Sequence, residues 1–240
     1  MRIIIITRSY FSIKLFLSYF LRLNNNIELM VLEYPKPVKL NKNKYSYFKR
    51  LDVTLYRIWR VILNKVKPKE DLGKLIIKVI KISDLNEILS HVQNFQPELI
   101  FLKNAPIIKS SILENINVKV LNGHSGFLPN YKGASCGLWP IVNKDTNVGV
   151  TIHEVTAVLD GGKILKRQVI PLNKIGKSIF YANDINYEQQ KLLAVLLNDL
   201  IINDQDSLEL LSQSIHQYYS LPGFSDYLKG YLNLVMGKFN

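Results

Sequence analysis

Cysteine and long apolar runs are the two features that this sequence most clearly lacks. A single cysteine, Cys136, stands among 240 residues, which excludes a disulfide framework and a cluster of thiolate metal ligands. No stretch approaches the roughly 18 apolar residues of a membrane span. The apolar run at residues 3–6 is too short for a signal peptide. These absences predict a cytoplasmic protein that does not insert into a membrane.

Glycine-rich phosphate motifs and metal-ligand spacings are absent as well. The turn at residues 7–10 carries neither G-x-G-x-x-G nor G-x-x-x-x-G-K, so it predicts neither a dinucleotide nor an ATP site. The four histidines show no spacing typical of metal ligands, and we expect no metal. We interpret His153 as a core or pocket-lining residue and Cys136 as a small helix residue rather than a nucleophile.

Acidic residues are few relative to basic ones. The chain has 19 aspartates and glutamates against 31 lysines and arginines, and its formal net charge is +12. Eleven of those cations fall within residues 36–69, with one acid among them. Such a surface attracts nucleic acid, anionic lipid or anionic small molecules, although a lysine-rich composition explains the excess equally well. Trp59, set among Arg57 and Arg60, is more typical of an amphipathic helix on a core than of nucleic-acid binding.

What the sequence does contain is a regular alternation of short apolar runs and helical patterns. The runs predict strands at residues 3–7, 28–32, 75–80, 99–102, 118–121, 149–155 and 164–170. Helical periodicity is found at residues 11–22, 45–66, 85–95, 134–143 and 178–202. The alternation predicts an α/β protein with a doubly wound, mostly parallel sheet. We expect one large domain, residues 1–205, and a short β or hairpin appendage, residues 206–240.

Chemistry-bearing residues gather between Asn122 and Asp160. Asn122 and His124 leave one strand end two residues apart, so their side chains point the same way. An amide can bind an acyl oxygen or an amine, and an imidazole can donate to a developing oxyanion. Asp160 follows the next strand and precedes two glycines. Taken singly, the first pair is also typical of a capped turn, and Asp-Gly-Gly is an ordinary turn signal.

Together these pieces resemble the folate-dependent formyltransferases. The resemblance spans roughly residues 98–171 and is carried by the motif Asn122-x-His124-Ser125-x-x-Leu128-Pro129-x-Tyr131-Lys132-Gly133, then Gly149-Val150-Thr151-x-His153-x-Val155, then Leu159-Asp160-x-Gly162. It implies a Rossmann-like formyltransferase fold with residues 1–205 as the catalytic domain. It also implies N10-formyltetrahydrofolate as the one-carbon donor.

The resemblance assigns roles to individual residues. Asn122, His124 and Asp160 match the family's catalytic residues: the amide and imidazole stabilise the oxyanion, and the carboxylate helps to take up the amine proton. The family's folate pocket corresponds to two short segments, whose alternative interpretation is a plain connection between elements. Their residues are Asn104, Ala105, Pro106 and Ile107, and Thr156, Ala157 and Val158.

Departures from the family pattern indicate the acceptor. The chain lacks the Gly-Ser-Asn loop of glycinamide ribonucleotide transformylases and has too few residues after its long helix for the barrel of methionyl-tRNA formyltransferases. It is most similar to the sugar-nucleotide N-formyltransferases. This implies a dTDP-linked amino sugar as substrate, for a surface polysaccharide such as O-antigen, and a homodimer formed through the tail. Candidate substrate contacts are Arg8, Ser125, Gly126 and Lys132.

Two alternatives stay open. One is formyl transfer to another amine, such as methionyl-tRNA or glycinamide ribonucleotide; nucleic acid is not the expected partner, and the basic residues 36–69 are its only support. The other is a binding module on a scaffold that has lost its activity, against which the intact Asn122, His124 and Asp160 argue.

Overall fold

The computed structural model describes residues 1–24, 26–35, 46–66, 77–203 and 218–239. Its strands are β1 (Arg2–Thr7), β2 (Glu28–Glu33), β3 (Lys78–Lys81), β4 (Leu99–Leu102), β5 (Lys119–His124), β6 (Lys132–Gly133), β7 (Gly149–Glu154), β8 (Ile164–Val169) and β9 (Tyr218–Tyr219). Its helices are α1 (Tyr10–Leu23), α2 (Tyr47–Val66), α3 (Glu87–Phe95), α4 (Ser110–Leu113), α5 (Trp139–Val142), α6 (Tyr181–Asn203) and α7 (Phe224–Met236).

Seven strands form one sheet in the order β3-β2-β1-β4-β5-β7-β8. The first five are parallel to their neighbours, whereas β7 and β8 pair antiparallel. The run Ile3 to Ile6 of β1 is buried on both faces, which is why it has no polar alternation. The predicted α/β fold class with a mostly parallel sheet is confirmed.

Helices cover both faces of the sheet. On one face, α1 and α6 pack against a cluster that includes Phe16, Phe101 and Leu193. On the other face, α3 and α4 pack against a cluster that includes Ile100 and Leu102. A further cluster joins α2, α5, α6 and α7. No helix among the described ranges is both long enough and apolar enough to cross a membrane.

Two predicted elements were wrong. The helix predicted at residues 134–143 is reduced to α5, because Gly133 pairs with Tyr219 and Ser135 has a left-handed backbone with φ of 54°. The predicted C-terminal hairpin is a two-residue strand, β9, followed by the 13-residue helix α7. The proposed boundary at residues 205–206 and most of the basic stretch outside α2 lie outside the described residues.

Candidate active site

Three neighbouring strands bring the polar residues together. Leu102, the last residue of β4, lies beside Asn122 in β5, and Asn122 lies beside His153 in β7. Gly123 points to the opposite face, where an added Cβ would lie 2.6 Å from the Phe101 ring, so a larger residue would displace the core. Asn122 and His124 therefore project from the face that α3 and α4 cover.

His124 and Asp160 form the centre of the site. Nδ1 of His124 lies 3.5 Å from Oδ1 of Asp160, and the two side chains are 7% and 6% exposed. Nε2 of His124 lies 2.7 Å from the carbonyl oxygen of Tyr131. Because a carbonyl can only accept, Nε2 carries a proton and donates it there. Nδ1 is therefore the ring atom that exchanges a proton on the side of Asp160.

The turn around Asp160 is held by the backbone. Oδ2 of Asp160 accepts a hydrogen bond of 2.8 Å from the N–H of Gly133, and the residue has φ of 48°. Two residues on, a Cβ at Gly162 would lie 1.9 Å from the carbonyl oxygen of Glu154. The Asp-Gly-Gly sequence is thus a turn whose geometry aims a carboxylate at His124.

Asn122 is oriented by His153. Nδ1 of His153 donates to the carbonyl oxygen of Glu154 at 2.7 Å, so its Nε2 is left to accept from Nδ2 of Asn122 at 3.0 Å. Burial, together with the neighbouring His124, lowers the pKa of His153 to about 4. A neutral His153 at pH 7 fixes which end of the Asn122 amide faces it. His153 lines the site, as interpreted from the sequence.

Lys103 is a site residue that the sequence reasoning missed. Its Nζ donates to Oγ of Ser125 at 2.7 Å and to the carbonyl oxygen of Gly123 at 3.3 Å, so it holds both neighbours of His124. The side chain is 5% exposed, and burial lowers its pKa to about 7. The available signal was a lysine directly after the apolar strand β4, at the edge where α/β proteins bind ligands.

The candidate substrate contacts lie around this centre. The backbone of Gly126 lies close to His124: a Cβ added to Gly126 would be 2.6 Å from Nε2 of His124. Lys132 is buried beside the residue that anchors Asp160, and its Nζ lies 5.8 Å from the centre of the Tyr218 ring. Arg8 follows β1, and its backbone N–H donates to the carbonyl oxygen of Asn104 at 3.0 Å. Arg8 is therefore joined to the first candidate folate segment.

The two candidate folate segments border the face from which His124 projects. Ala105, in the first segment, and Val155, directly before the second, pack against the same apolar cluster. Pro106 is buried and Asn104 has φ of 55°. In the second segment, Oγ1 of Thr156 bonds the N–H and the carbonyl group of Val158, which closes a turn that includes Ala157. Ile107 and Val158 are both more than half exposed.

Cys136 is buried next to the site. If Gly126 were replaced by a larger residue, its new Cβ would lie 2.6 Å from the Cβ of Cys136. Burial raises the pKa of the Cys136 thiol, and the nearby Asp160 raises it further. A thiol held in its neutral form is a poor nucleophile. Among the described residues, no group of three or more His, Cys, Asp or Glu residues could hold a metal ion.

Sequence comparison finds known proteins that are similar over the same stretch. A family model described as formyl transferase matches residues 80–195. The bifunctional polymyxin resistance protein ArnA of Wigglesworthia glossinidia brevipalpis is 26% identical over 70% of this chain and 26% of its own length. The methionyl-tRNA formyltransferase of Finegoldia magna is 29% identical over 62% of this chain and 43% of its own length. The chain thus spans less than half of each of these relatives.

Solved structures share the fold. A sugar N-formyltransferase from a Shewanella species superposes with a TM-score of 0.57 at 17% identity, over 98% of this chain and 87% of that one. An N-formyltransferase from Helicobacter canadensis, solved with folinic acid and dTDP-3-aminofucose, gives a TM-score of 0.57 at 20% identity, over 91% and 70%. The match over residues 80–195 includes Asn122, His124 and Asp160, so the stretch that carries the candidate site is similar to the formyl transferase family.

Proposed function

We propose that this chain is a folate-dependent N-formyltransferase that moves the formyl group of N10-formyltetrahydrofolate to the amine of a nucleotide-linked amino sugar. The observation that carries the proposal is the buried contact of 3.5 Å between Nδ1 of His124 and Oδ1 of Asp160, with Asn122 held beside it by His153. This arrangement places a proton acceptor, Asp160, next to two side chains that can donate hydrogen bonds to an oxyanion, His124 and Asn122.

The residues fit the needs of formyl transfer. When an amine attacks the formyl carbon, the carbonyl oxygen gains negative charge and the amine nitrogen must lose a proton; the bond between the formyl carbon and N10 of the folate then breaks, and N10 takes up a proton as it leaves. Asp160, as a carboxylate, accepts that proton directly or through water, and Nδ1 of His124 shares it. Once protonated at Nδ1, His124 is a donor for the oxyanion, and the amide of Asn122 is a second donor.

The surroundings also fit the two proposed ligands. Ile107 and Val158 are apolar yet more than half exposed, as expected of side chains that would cover the planar ring of a folate. That ring would be held by the two segments Asn104 to Ile107 and Thr156 to Val158, and the folate would supply the formyl group. Lys132 and Arg8 are the cations that we assign to the phosphates of the sugar nucleotide, with Ser125 and Gly126 beside the amine. The sugar N-formyltransferase fold, shared over almost the whole chain, supports this acceptor class.

A second acceptor, methionyl-tRNA, is favoured by two observations. The relative from Finegoldia magna is a methionyl-tRNA formyltransferase, and residues 36–69 carry eleven cations. The active-site chemistry would be unchanged. Binding of the tRNA would then be driven by the release of counterions from its phosphates, and the affinity would fall steeply as the salt concentration rises.

The experiment is a panel of acceptors. The full chain is incubated with N10-formyltetrahydrofolate and, in separate reactions, with dTDP-linked 3-amino and 4-amino sugars, UDP-linked amino sugars, methionyl-tRNA and glycinamide ribonucleotide. We expect tetrahydrofolate and one formylated sugar nucleotide, and none with His124→Ala. Turnover on methionyl-tRNA alone would favour the second acceptor, and no turnover with any amine would overturn the proposed function.

A further inference from the structure

The tail strand β9 lies against the backbone that surrounds the candidate active site. It pairs in parallel with β6, with Tyr218 beside Lys132 and Tyr219 beside Gly133. The carbonyl oxygen of Tyr219 also accepts a hydrogen bond of 2.9 Å from the N–H of Ala134. The segment that follows the histidine motif therefore takes its strand pairing from the C-terminal end of the chain.

Tyr218 contacts the turn that carries Asp160. Its hydroxyl donates a hydrogen bond of 2.9 Å to the carbonyl oxygen of Leu159, the residue directly before Asp160. On the other side, Oδ2 of Asp160 accepts a hydrogen bond of 2.8 Å from the N–H of Gly133, which pairs with Tyr219. Strand β9 is thus linked to Asp160 twice, through the residue before it and through the strand that binds its carboxylate.

The turn at Asp160 needs support of this kind. Asp160 has φ of 48°, in the left-handed region that residues with a Cβ seldom adopt. Such a conformation persists where the surrounding structure holds it. The hydrogen bond from Tyr218 fixes the peptide group that enters this conformation, because the Leu159 carbonyl belongs to the peptide bond between Leu159 and Asp160.

Tyr219 holds β9 in place. Its ring stacks on that of Tyr131, with the ring centres 5.3 Å apart, and its centre lies 5.1 Å from that of Trp139. The Tyr219 hydroxyl accepts a hydrogen bond of 3.0 Å from Nδ2 of Asn143. Tyr131 is also the residue whose carbonyl oxygen accepts from Nε2 of His124. One anchored strand is therefore in contact with the backbone partners of both His124 and Asp160.

We infer that Tyr218 is a positioning residue for the proposed formyl transfer and that it acts by holding Asp160 in place. The role rests on the proposed function, because Asp160 is the proton acceptor of that reaction. The hydroxyl of Tyr218 bonds the backbone and takes no part in the proton transfer. Positioning matters here because a misplacement of about 1 Å can lower a rate by about 100-fold.

The test is Tyr218→Phe, assayed with the amine that turns over in the acceptor panel. The variant removes only the hydroxyl and keeps the ring, whose centre lies 5.8 Å from Nζ of Lys132. We expect kcat to fall about 5-fold, the equivalent of one lost hydrogen bond, with KM for the amine unchanged. Because Tyr218 is 51% exposed, the melting temperature should stay at the native value.

Tyr231→Phe is the matched control. It removes a tyrosine hydroxyl from α7, in the same part of the chain, where the ring packs on the cluster of α2, α5, α6 and α7. The control should turn over at the native rate. Native kcat in Tyr218→Phe, an equal fall in both variants, or a change confined to KM would each overturn the role of Tyr218.

Hydrogen exchange gives a measurement that needs no turnover. The amide proton of Gly133 bonds the Asp160 carboxylate, whereas that of Ala134 bonds the Tyr219 carbonyl. In Tyr218→Phe, Gly133 should exchange about 5-fold faster, with Ala134 unchanged. Unchanged exchange at Gly133 would overturn the role of Tyr218, as would equal acceleration at both amides, which would mean that β9 detaches as a whole. A native chain that formylates no amine would instead overturn the proposed function, and the exchange rates would still report whether Tyr218 holds Asp160.

Discussion

At the scale of single residues, two buried hydrogen-bond chains define the site. One runs from the Glu154 carbonyl through His153 to Asn122, and the other from the Tyr131 carbonyl through His124 towards Asp160. In each chain a backbone carbonyl fixes which ring nitrogen holds the proton. The backbone therefore sets the chemistry of both histidines before any ligand arrives.

Replacing His153 by Leu should separate orientation from catalysis. The variant keeps Asn122, His124 and Asp160 but removes the acceptor of the Asn122 amide, whose hydrogen bond is worth about 1 kcal/mol. We expect kcat to fall about 5-fold with little change in KM for the amine. His153→Gln, whose side-chain oxygen can accept from Asn122, should recover part of the loss. Equal rates for the native and Leu variants would show that Asn122 needs no such support.

Lys103 gives a prediction about pH. Burial lowers its pKa from 10.5 to about 7, so the unfolded chain binds more protons than the folded one between these values. Stability should therefore rise with pH in that window, by up to about 1.4 kcal/mol per pH unit. Below pH 7 both states are protonated and the penalty of the buried charge is fully present.

The measurement is urea unfolding at pH 7 and pH 9, compared with Lys103→Met. Methionine fills a similar volume without a charge, and the variant keeps every tyrosine of the native chain. The native protein should gain stability over this interval relative to the variant. Parallel pH profiles for the two proteins would show that Lys103 keeps an ordinary pKa.

At the scale of elements, the β7–β8 connection decides where Asp160 lies. Gly162→Ala would place a methyl group 1.9 Å from the Glu154 carbonyl, which is backbone and cannot move aside. We expect a destabilisation of about 1–3 kcal/mol and a large loss of kcat, because Asp160 shifts with the turn.

Gly161→Ala is the matched control for this prediction. Its added methyl group would lie 2.6 Å from Cγ1, 2.9 Å from Cβ and 3.3 Å from the carbonyl oxygen of Val158, each farther than the 1.9 Å approach at Gly162. The control should therefore lose clearly less activity and less stability than Gly162→Ala. If both alanine variants behave alike, the tight approach at Gly162 is not what positions Asp160.

Local patterns predicted some elements and not others. Buried parallel strands such as β1 and β4 were predictable because their apolar runs have no polar alternation. The predicted helix at residues 134–143 failed because Gly133 pairs with Tyr219, about 85 residues away in the chain. The tail failed in the same way: its aromatic residues suggested a hairpin, but Tyr227 packs on Tyr181 and Trp59 as one side of a helix.

The same distinction applies to the site. The sequence predicted that Asn122, His124 and Asp160 would lie close together, because their motif is local and chemically specific. The role of Lys103 was not, since a lysine after a strand ordinarily points to solvent. Only the parallel register of β4 and β5 brings its ammonium group to Ser125 and the Gly123 carbonyl. The charge composition also could not show that two cations of α2, Lys49 and Arg60, bond to Asp226 and Asn183 of the same chain.

At the scale of the whole molecule, the candidate site and the paired helices α2 and α7 occupy different parts of the fold. The carboxyl ends of β4 and β5, with the β7–β8 connection, gather the polar residues of the site. Helices α2 and α7 lie together on the cluster they share with α5 and α6.

The measurement that most directly tests the central claim is the rate of tetrahydrofolate formation by native chain and His124→Ala, with the amine that turns over in the panel. The loss of an oxyanion donor predicts a fall in kcat of about 100- to 1,000-fold, with the variant still folded. A His124→Ala enzyme that turns over at nearly the native rate would contradict the assignment of this site to formyl transfer.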